Sequence, residues 1–233
     1  MDNLREDKAE EFVDYLTETV RAFRDLPEFG NIHFESLDPF NEPCEGWWVK
    51  GGRQEGCNFS PHSIDKVVPL LATSLAEKGL STEVSGIDSW ADTTAVVFSK
   101  LSQTTLNAIG RINVHGYFKF EPDSGKASER KANAWHRAEV KKVAGRVGKR
   151  VWQSEAGPMG FKGKTELNNA LKMGVSLIMD VNQMHCCAWV YWQALETESD
   201  NCWGLIQAPF TLQPEKWSFT VKTQFHVLLQ FTK

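Results

Sequence analysis

The sequence predicts an α/β fold with a parallel sheet, and three observations support this prediction. After one opening helix, short apolar segments alternate five times with segments of helical apolar spacing. The predicted strands start near residues 31, 82, 109, 149 and 186, which leaves room for a helix between each pair. The last strand, predicted over residues 186–193, is nearly all apolar. We therefore expect both of its faces to be buried, as in parallel sheets.

The first strand leads into an Asn-Glu-Pro corner. A helix is predicted over residues 5–25 and a strand over residues 31–38, because the apolar spacing changes between them. Pro43 closes the corner and cannot donate to a sheet ladder. Asn41 and Glu42 are therefore expected at the carboxyl end of a strand, where parallel α/β sheets place their chemistry.

The middle of the chain continues the alternation. Ser60-Pro61 has the residue types of a helix N-cap and first helical position. A short strand is predicted over residues 82–87, and Ser89 is predicted to cap a helix over residues 90–102. The next strand, over residues 109–115, is followed by a polar segment.

The last third of the chain carries a second glutamate at a strand end. A helix over residues 130–147 precedes a strand over residues 149–154, which delivers Glu155. A helix follows over residues 165–184, and the final helix is predicted to begin near Thr220. The stripe of the 165–184 helix that is predicted to be buried consists of Leu167, Leu171, Gly174, Ile178 and Val181.

Composition excludes several classes of function. The net charge of -4 gives no basic field for nucleic acid or an acidic membrane surface, and no apolar run is long enough to span a bilayer. The polar N-terminus does not have the pattern of a signal peptide. Neither a Gly-rich dinucleotide fingerprint nor a nucleophile elbow is present.

The five cysteines do not fix the redox state of the protein. Cys44 and Cys57 flank a loop of suitable size for a disulfide, and both a bridge and two free thiols remain open. Cys186 and Cys187 are predicted to lie in a buried strand, whereas Cys202 lies in a loop. The adjacent pair Cys186 and Cys187 lacks a second pair of ligand residues at the spacing that a zinc site requires, so no metal site is predicted.

Glu42 and Glu155 form the minimal set for hydrolysis of a glycosidic bond. Such hydrolysis uses two carboxyl groups on opposite sides of the bond, and their separation decides whether configuration is retained or inverted. Both glutamates are predicted at strand ends of one sheet. The alternative is that they are two unrelated surface residues in strand–helix loops.

Several segments carry a family resemblance. Asn-Glu-Pro after one strand, and Trp-Gln-Ser-Glu three strands later, resemble the retaining glycosidases with (β/α)8 barrels. More narrowly, the chain resembles the endo-β-1,6-galactanases of glycoside hydrolase family 30 along nearly its whole length. The segments concerned are Asp38-Pro39-Phe40-Asn41-Glu42-Pro43, Gln54-Glu55-Gly56-Cys57, Ile112-Asn113-Val114-His115-Gly116-Tyr117, Ala188-Trp189-Val190-Tyr191-Trp192-Gln193-Ala194 and Trp203-Gly204-Leu205-Ile206-Gln207.

The resemblance implies roles for individual residues. Glu42 would be the acid/base, Glu155 the nucleophile of a retaining double displacement on β-1,6-galactan, and Asn41 the contact for the sugar 2-hydroxyl. Tyr117, or His115 beside it, would donate a hydrogen bond to the nucleophile and keep it ionised. For His115 a purely structural role remains open.

The aromatic residues have two interpretations each. By resemblance, Trp192 would form the floor of the sugar site with Gln193 nearby, but Trp192 could equally be a core residue. Trp47, Trp48 and Trp203 are loop aromatics that fit either the walls of sugar subsites or ordinary packing.

The resemblance also predicts the organisation of the whole chain. Residues 1–233 are expected to form a single glycosidase catalytic domain, truncated at both ends. The fold is expected to be a partial (β/α)8 barrel with five parallel strands, without the first three strands and the C-terminal β-sandwich of the family. Activity would then be impaired, because those strands supply part of the sugar site.

Cofactors, partners and location follow from the same resemblance. We expect a secreted monomer that acts on a polysaccharide or oligosaccharide without a cofactor, and that binds neither nucleic acid nor membranes. The alternative function is that of a carbohydrate-binding relic of a glycosidase that no longer turns over its ligand.

Overall fold

The computed structural model describes residues 2–52, 54, 57–117, 127–157, 166–197, 203–208 and 213–232, apart from the side chains of residues 127–133 and 214. Two compact units divide the chain. The first unit contains Met1–Val114 and Glu139–Trp152, and the second contains His115–Ala138 and Gln153–Lys233. The expectation of a single domain over residues 1–233 stays a prediction.

The α/β fold class and the five parallel strands are confirmed. The strands follow one another in the sheet in the order of the sequence. They are β1 (Ser36–Leu37), β2 (Glu83–Trp90), β3 (Ile109–His115), β4 (Arg150–Ala156) and β5 (Cys186–Tyr191). The helices are α1 (Ala9–Asp25), α2 (Pro61–Glu77), α3 (Ala91–Phe98), α4 (Gln103–Ala108), α5 (Ala127–Val147), α6 (Glu166–Met179) and α7 (Thr223–Leu228).

Strand β1 is much shorter than the predicted strand over residues 31–38. Only Ser36 and Leu37 pair with β2, opposite Glu83 and Val84. The preceding apolar residues pack on the end of α1 instead, where the ring centroids of Phe34 and Phe23 lie 5.3 Å apart. Ile32 and Phe34 are nevertheless 43% and 36% exposed, so the apolar run is neither a complete strand nor a buried segment.

Helix α2 forms the core of the first unit. Its Ser60 N-cap is confirmed, because Ser60 Oγ accepts a hydrogen bond from the backbone N–H of Ser63 over 3.3 Å. The apolar stripe of the helix is almost completely buried. Its members are Ile64, Val67, Val68, Leu71 and Leu75.

The predicted cap at Ser89 is wrong. Ser89 lies inside β2, which extends to Trp90, and the predicted single helix is divided into α3 and α4. The hydroxyl of Ser89 donates to the Glu45 carboxylate over 2.6 Å, so it is unavailable for capping. This longer strand carries Trp90 to the strand end, and the next subsection describes its contacts.

Strand β5 is not buried on both faces, contrary to the prediction. Cys187 and Val190 are exposed, whereas Cys186 is buried. β5 is the last strand in the sheet order and therefore has one neighbouring strand. An apolar run is compatible with a central strand and with such an edge strand, and the sequence pattern does not distinguish them.

The predicted buried stripe of α6 is also wrong. Leu167 and Leu171 are 55% and 54% exposed, whereas Ala170, Met173 and Leu177 are buried. Two apolar stripes run along this helix, so periodicity alone does not decide which of them faces the core. Of the other residues predicted for the stripe, Ile178 and Val181 are exposed, and Gly174 is buried against α7.

A small second sheet lies in the second unit. It consists of β6 (Leu195–Glu196), β7 (Ile206–Gln207) and β8 (Thr220–Val221). Strand β6 pairs in parallel with β7, and β7 pairs antiparallel with β8. The final helix therefore starts three residues after the predicted Thr220, which belongs to β8. None of the helices in the described part of the chain is both long and apolar enough to cross a bilayer.

Candidate active site

Glu42 is held from three directions within the first unit. Its backbone N–H donates to the carbonyl oxygen of Asp88 over 2.7 Å. Its own carbonyl oxygen accepts from Trp48 Nε1 over 2.7 Å. Its side-chain Oε1 accepts from Trp90 Nε1, also over 2.7 Å. The residue is therefore fixed in both backbone and side chain.

The backbone around Glu42 is strained. Glu42, Cys44 and Asp88 have φ values of 50°, 67° and 56°, in the left-handed region that residues with a side chain rarely adopt. Non-glycine residues in this region cost free energy and are concentrated at functional sites. The geometry therefore supports a functional role for the corner that the sequence singled out.

Three tryptophan side chains surround this corner. The ring centroid of Trp47 lies 6.2 Å from that of Trp48 and 5.7 Å from that of Trp90. Trp47 is 38% exposed, so part of its ring faces solvent. Flat aromatic faces suit the apolar C–H faces of sugars. Sequence reasoning missed Trp90, because it placed this residue inside a helix.

Further polar residues support the corner around Glu42. Asp38 Oδ2 accepts from Asn113 Nδ2 over 3.2 Å, and Asp38 Oδ1 accepts from the backbone N–H of Phe40 over 3.3 Å. These contacts give Asp38 a structural role beside the corner. Burial raises the pKa of Glu45, which accepts the hydrogen bond from Ser89.

Cys44 and Cys57 are free thiols, which is one of the two alternatives that the sequence left open. Cys44 Sγ donates to the carbonyl oxygen of Phe59 over 2.8 Å. Cys57 Sγ accepts from the backbone N–H of Asn41 over 3.2 Å. The two thiols therefore tie the corner to the following loop, while the side chain of Asn41 stays exposed.

The thiols should differ in reactivity. Burial raises the pKa of Cys44 to about 11 and that of Cys186 to about 12, whereas Cys187 is exposed. Since the thiolate is the nucleophile, we expect iodoacetamide at pH 8 to label Cys187 much faster than Cys44 or Cys186. Peptide mass spectrometry of the native protein measures this, with labelling in urea as the control. A Cys44–Cys57 disulfide in a non-reduced digest would contradict the free thiols.

Glu155 is positioned within the second unit. Tyr117 Oη donates a hydrogen bond to Glu155 Oε1. His115 Nε2 lies 3.7 Å from Glu155 Oε2, which is longer than a hydrogen bond. The side chain of Glu155 is 21% exposed, whereas Tyr117 and His115 are buried. Of the two donors that the sequence offered for this carboxylate, the geometry favours Tyr117.

Gly116 binds the backbone of Glu155 and leaves room for the side chain of Gln153. The N–H of Gly116 donates to the carbonyl oxygen of Glu155 over 2.8 Å. A Cβ atom on Gly116 would lie 1.8 Å from Nε2 of the buried Gln153. A larger residue between His115 and Tyr117 would therefore have to displace the buried side chain of Gln153.

Trp192 and Trp203 lie on the same unit as Glu155. Trp192 is 45% exposed, so the interpretation as a core residue is wrong. The rings of Trp203 and Tyr117 make an edge contact with their centroids 5.5 Å apart. The backbone N–H of Gln193 donates to the carbonyl oxygen of Trp203 over 3.2 Å, which joins the two aromatic segments.

A buried ion pair lies in the second unit. Arg137 Nε donates to Asp180 Oδ1 over 2.7 Å, and Trp189 Nε1 donates to Asp180 Oδ2 over 2.8 Å. Arg137 and Asp180 are 1% and 0% exposed. Sequence reasoning missed this pair, although a lone charged residue near the end of a predicted helix could have indicated it.

The predicted site residues therefore fall into two groups. Asn41, Glu42 and Trp47 belong to the first unit. The second unit contains His115, Tyr117, Glu155, Trp192, Gln193 and Trp203. That Glu42 and Glu155 act as one catalytic pair stays a prediction.

Comparison with known proteins supplies the family. The model of O-glycosyl hydrolase family 30 matches residues 1–201. An endo-β-1,6-galactanase of Hypocrea rufa is 34% identical over 206 residues, which cover 87% of this chain and 37% of that protein. The chain thus spans little more than a third of the length of this curated relative.

Solved structures agree on the fold. A conserved exported protein from Bacteroides fragilis matches with a TM-score of 0.74 at 16% identity. The match covers 98% of this chain and 51% of the Bacteroides protein. The catalytic domain of a family 30 xylanase from Talaromyces cellulolyticus matches with a TM-score of 0.66 at 16% identity. This match covers 96% of this chain and 45% of the xylanase chain. These likenesses show that the chain has the fold of part of a (β/α)8 barrel.

Proposed function

Because the chain belongs to O-glycosyl hydrolase family 30, we propose that it hydrolyses glycosidic bonds with retention of configuration. Glu155 acts as the nucleophile and Glu42 as the acid/base. The observation that supports this proposal most is the hydrogen bond from Tyr117 Oη to Glu155 Oε1. Donation by a hydroxyl favours the ionised carboxylate, and only that form attacks a sugar carbon.

The reaction takes two displacements. In the first, a Glu155 oxygen attacks the anomeric carbon while Glu42 gives its proton to the departing glycosidic oxygen, which takes the bonding electrons. A covalent glycosyl ester remains on Glu155. In the second, Glu42 takes a proton from water, the water oxygen attacks the same carbon, and the bond to Glu155 breaks.

We propose β-1,6-galactan, such as the side chains of arabinogalactan, as the substrate. The proposal rests on the 34% identity to the endo-β-1,6-galactanase of Hypocrea rufa. Asn41 contacts the sugar 2-hydroxyl, and Trp192 forms the floor of the sugar site beside Gln193. The exposed fraction of the Trp192 ring supports this role, because a sugar needs an accessible aromatic face.

The surrounding aromatics and the location of the protein complete the proposal. Trp47 and Trp203 form walls of neighbouring sugar subsites, and His115 supports Tyr117, whose ring it meets edge-on with centroids 6.0 Å apart. The enzyme acts as a secreted monomer on a polysaccharide outside the cell. No metal or other cofactor takes part in this mechanism.

Product analysis tests the proposed function. We expect residues 1–233, in long incubations with β-1,6-linked galacto-oligosaccharides, to release products that appear first as the β-anomer in proton NMR spectra. Oligosaccharides of β-1,6-linked glucose and of β-1,4-linked xylose are the specificity controls. Appearance of the α-anomer first would overturn the retaining mechanism. Binding of the galactan measured by calorimetry, without any product, would instead favour a carbohydrate-binding relic.

A further inference from the structure

The indole Nε1–H of Trp90 donates a hydrogen bond to Oε1 of the Glu42 carboxyl group over 2.7 Å. The two residues are 48 positions apart in sequence, so the contact is a tertiary one. We propose that Trp90 is a positioning residue that decides which oxygen of Glu42 carries the exchangeable proton. The inference rests on the proposed function, in which Glu42 is the acid/base.

The chemistry of the indole group gives the assignment. An indole N–H is a donor and never an acceptor, so Oε1 of Glu42 must present a lone pair to it in both protonation states. A carbonyl-type oxygen is a better acceptor than a hydroxyl oxygen. The protonated form of Glu42 therefore carries its proton on Oε2, and Oε1 stays the acceptor for Trp90.

This hydrogen bond also helps the acid step. When the proton leaves Oε2 for the glycosidic oxygen, negative charge develops on the carboxylate of Glu42. A hydrogen bond to a charged acceptor is stronger than one to a neutral acceptor. The Trp90 contact thus gains strength as the leaving group departs, and this gain stabilises the transition state rather than the ground state.

Trp90 is well placed for this role because its own position is fixed. It is the last residue of β2 and the N-cap of α3, with extended backbone. Trp47 packs against its ring with centroids 5.7 Å apart. Two residues earlier on the same strand, the carbonyl oxygen of Asp88 accepts a hydrogen bond from the backbone N–H of Glu42. One strand end therefore holds both the main chain and the carboxyl group of the same glutamate.

An NMR experiment tests the contact without requiring turnover. In a sample with ¹⁵N-labelled tryptophan, the Trp90 indole proton resonance, assigned from Trp90→Phe, should lie at higher field in Glu42→Gln than in the wild type. The reason is that an amide oxygen accepts a weaker hydrogen bond than a carboxylate oxygen. The Trp152 indole serves as an internal reference, since its ring stacks on Arg111 instead. A Trp90 resonance with the same chemical shift in the wild type and in Glu42→Gln would overturn the inference.

Kinetics test the catalytic consequence. Trp90→Phe should lower kcat/KM on a β-1,6-linked galacto-oligosaccharide about 10-fold or more, because an alkoxide leaving group needs acid assistance. With a 2,4-dinitrophenyl galactoside, which leaves without a proton, the loss should stay within about 2-fold. Trp152→Phe is the matched control and should not change the ratio between the two substrates.

The outcomes separate this inference from the proposed function. An equal loss on both substrates would mean that Trp90 has a structural role only, and would overturn the inference. If no glycoside is cleaved by the wild-type chain while the Trp90 resonance still responds to Glu42→Gln, the hydrogen bond from Trp90 to Glu42 stands and the proposed hydrolase function fails.

Discussion

Changing Glu155 to glutamine is expected to lower kcat about 10⁴-fold or more, while the substrate still binds. Glutamine keeps the size of the side chain, and its carbonyl oxygen can still accept the hydrogen bond from Tyr117. The amide is not a nucleophile, however, so no glycosyl ester forms. The measurement is the rate of reducing-end release from β-1,6-linked galacto-oligosaccharides, together with the Kd of the same ligand by calorimetry.

A matched variant controls for the loss of one negative charge. Glu10 is exposed on α1, and Glu10→Gln removes the same charge from the surface. We expect its kcat and Kd to remain within about 2-fold of wild type. If Glu155→Gln retained a tenth of the activity, the nucleophile would have to be another group. If it lost binding as well as turnover, the change would have disturbed the site as a whole.

Changing Arg137 to methionine is expected to destabilise the fold by about 3–5 kcal/mol, because it leaves the buried Asp180 without its cation. Methionine preserves much of the volume of the arginine stem but cannot donate to the carboxylate. The measurement is the free energy of unfolding from urea titrations. In the double variant Arg137→Met/Asp180→Leu no uncompensated charge remains, so most of the lost stability should return.

The pH dependence gives this second prediction a distinctive sign. Burial raises the pKa of Asp180 above its ordinary value of 3.8, although Arg137 opposes the rise. A raised native pKa means that the contribution of Asp180 to stability is complete below 3.8 and is lost as pH rises through the native pKa. Without Arg137 the native pKa rises further, so the destabilisation by Arg137→Met should be larger at pH 7 than at pH 4.

An exposed lysine on the same helix provides the control. Lys142 is largely exposed and pairs with Glu139 at the surface. Lys142→Met should change the free energy of unfolding by less than about 0.5 kcal/mol at either pH. A similarly small effect of Arg137→Met would show that water reaches Asp180, and the interpretation of a dry buried pair would be wrong.

The sequence predicted the strands of the sheet, and the reason is local. The spacing of apolar residues changes at each boundary between a strand and a helix. The Ser60 cap of α2 is likewise local, because it joins residues only three positions apart. Glu155 and the corner at Glu42 follow strands in the sequence, so their position after a strand could be predicted from chain order alone. The motifs around them were sufficient to indicate the family.

The sequence did not decide between surfaces or between partners. Two apolar stripes on α6 were available, and packing in the second unit buried the one that contains Ala170, Met173 and Leu177. Ser89 is a residue type that often caps helices, but its hydroxyl donates a hydrogen bond to the Glu45 carboxylate instead. Each of these choices depends on residues that are distant in the sequence.

Thus the sequence by itself determined the alternation of strands and helices and the two glutamates that follow strands, because local spacing and chain order encode both. Only the tertiary structure decided that Trp90 meets the carboxyl group of Glu42 and that Tyr117, rather than His115, donates to Glu155. Hydrogen bonds between side chains depend on positions of a few tenths of an ångström, and these are set by the packing of the whole unit rather than by the local sequence.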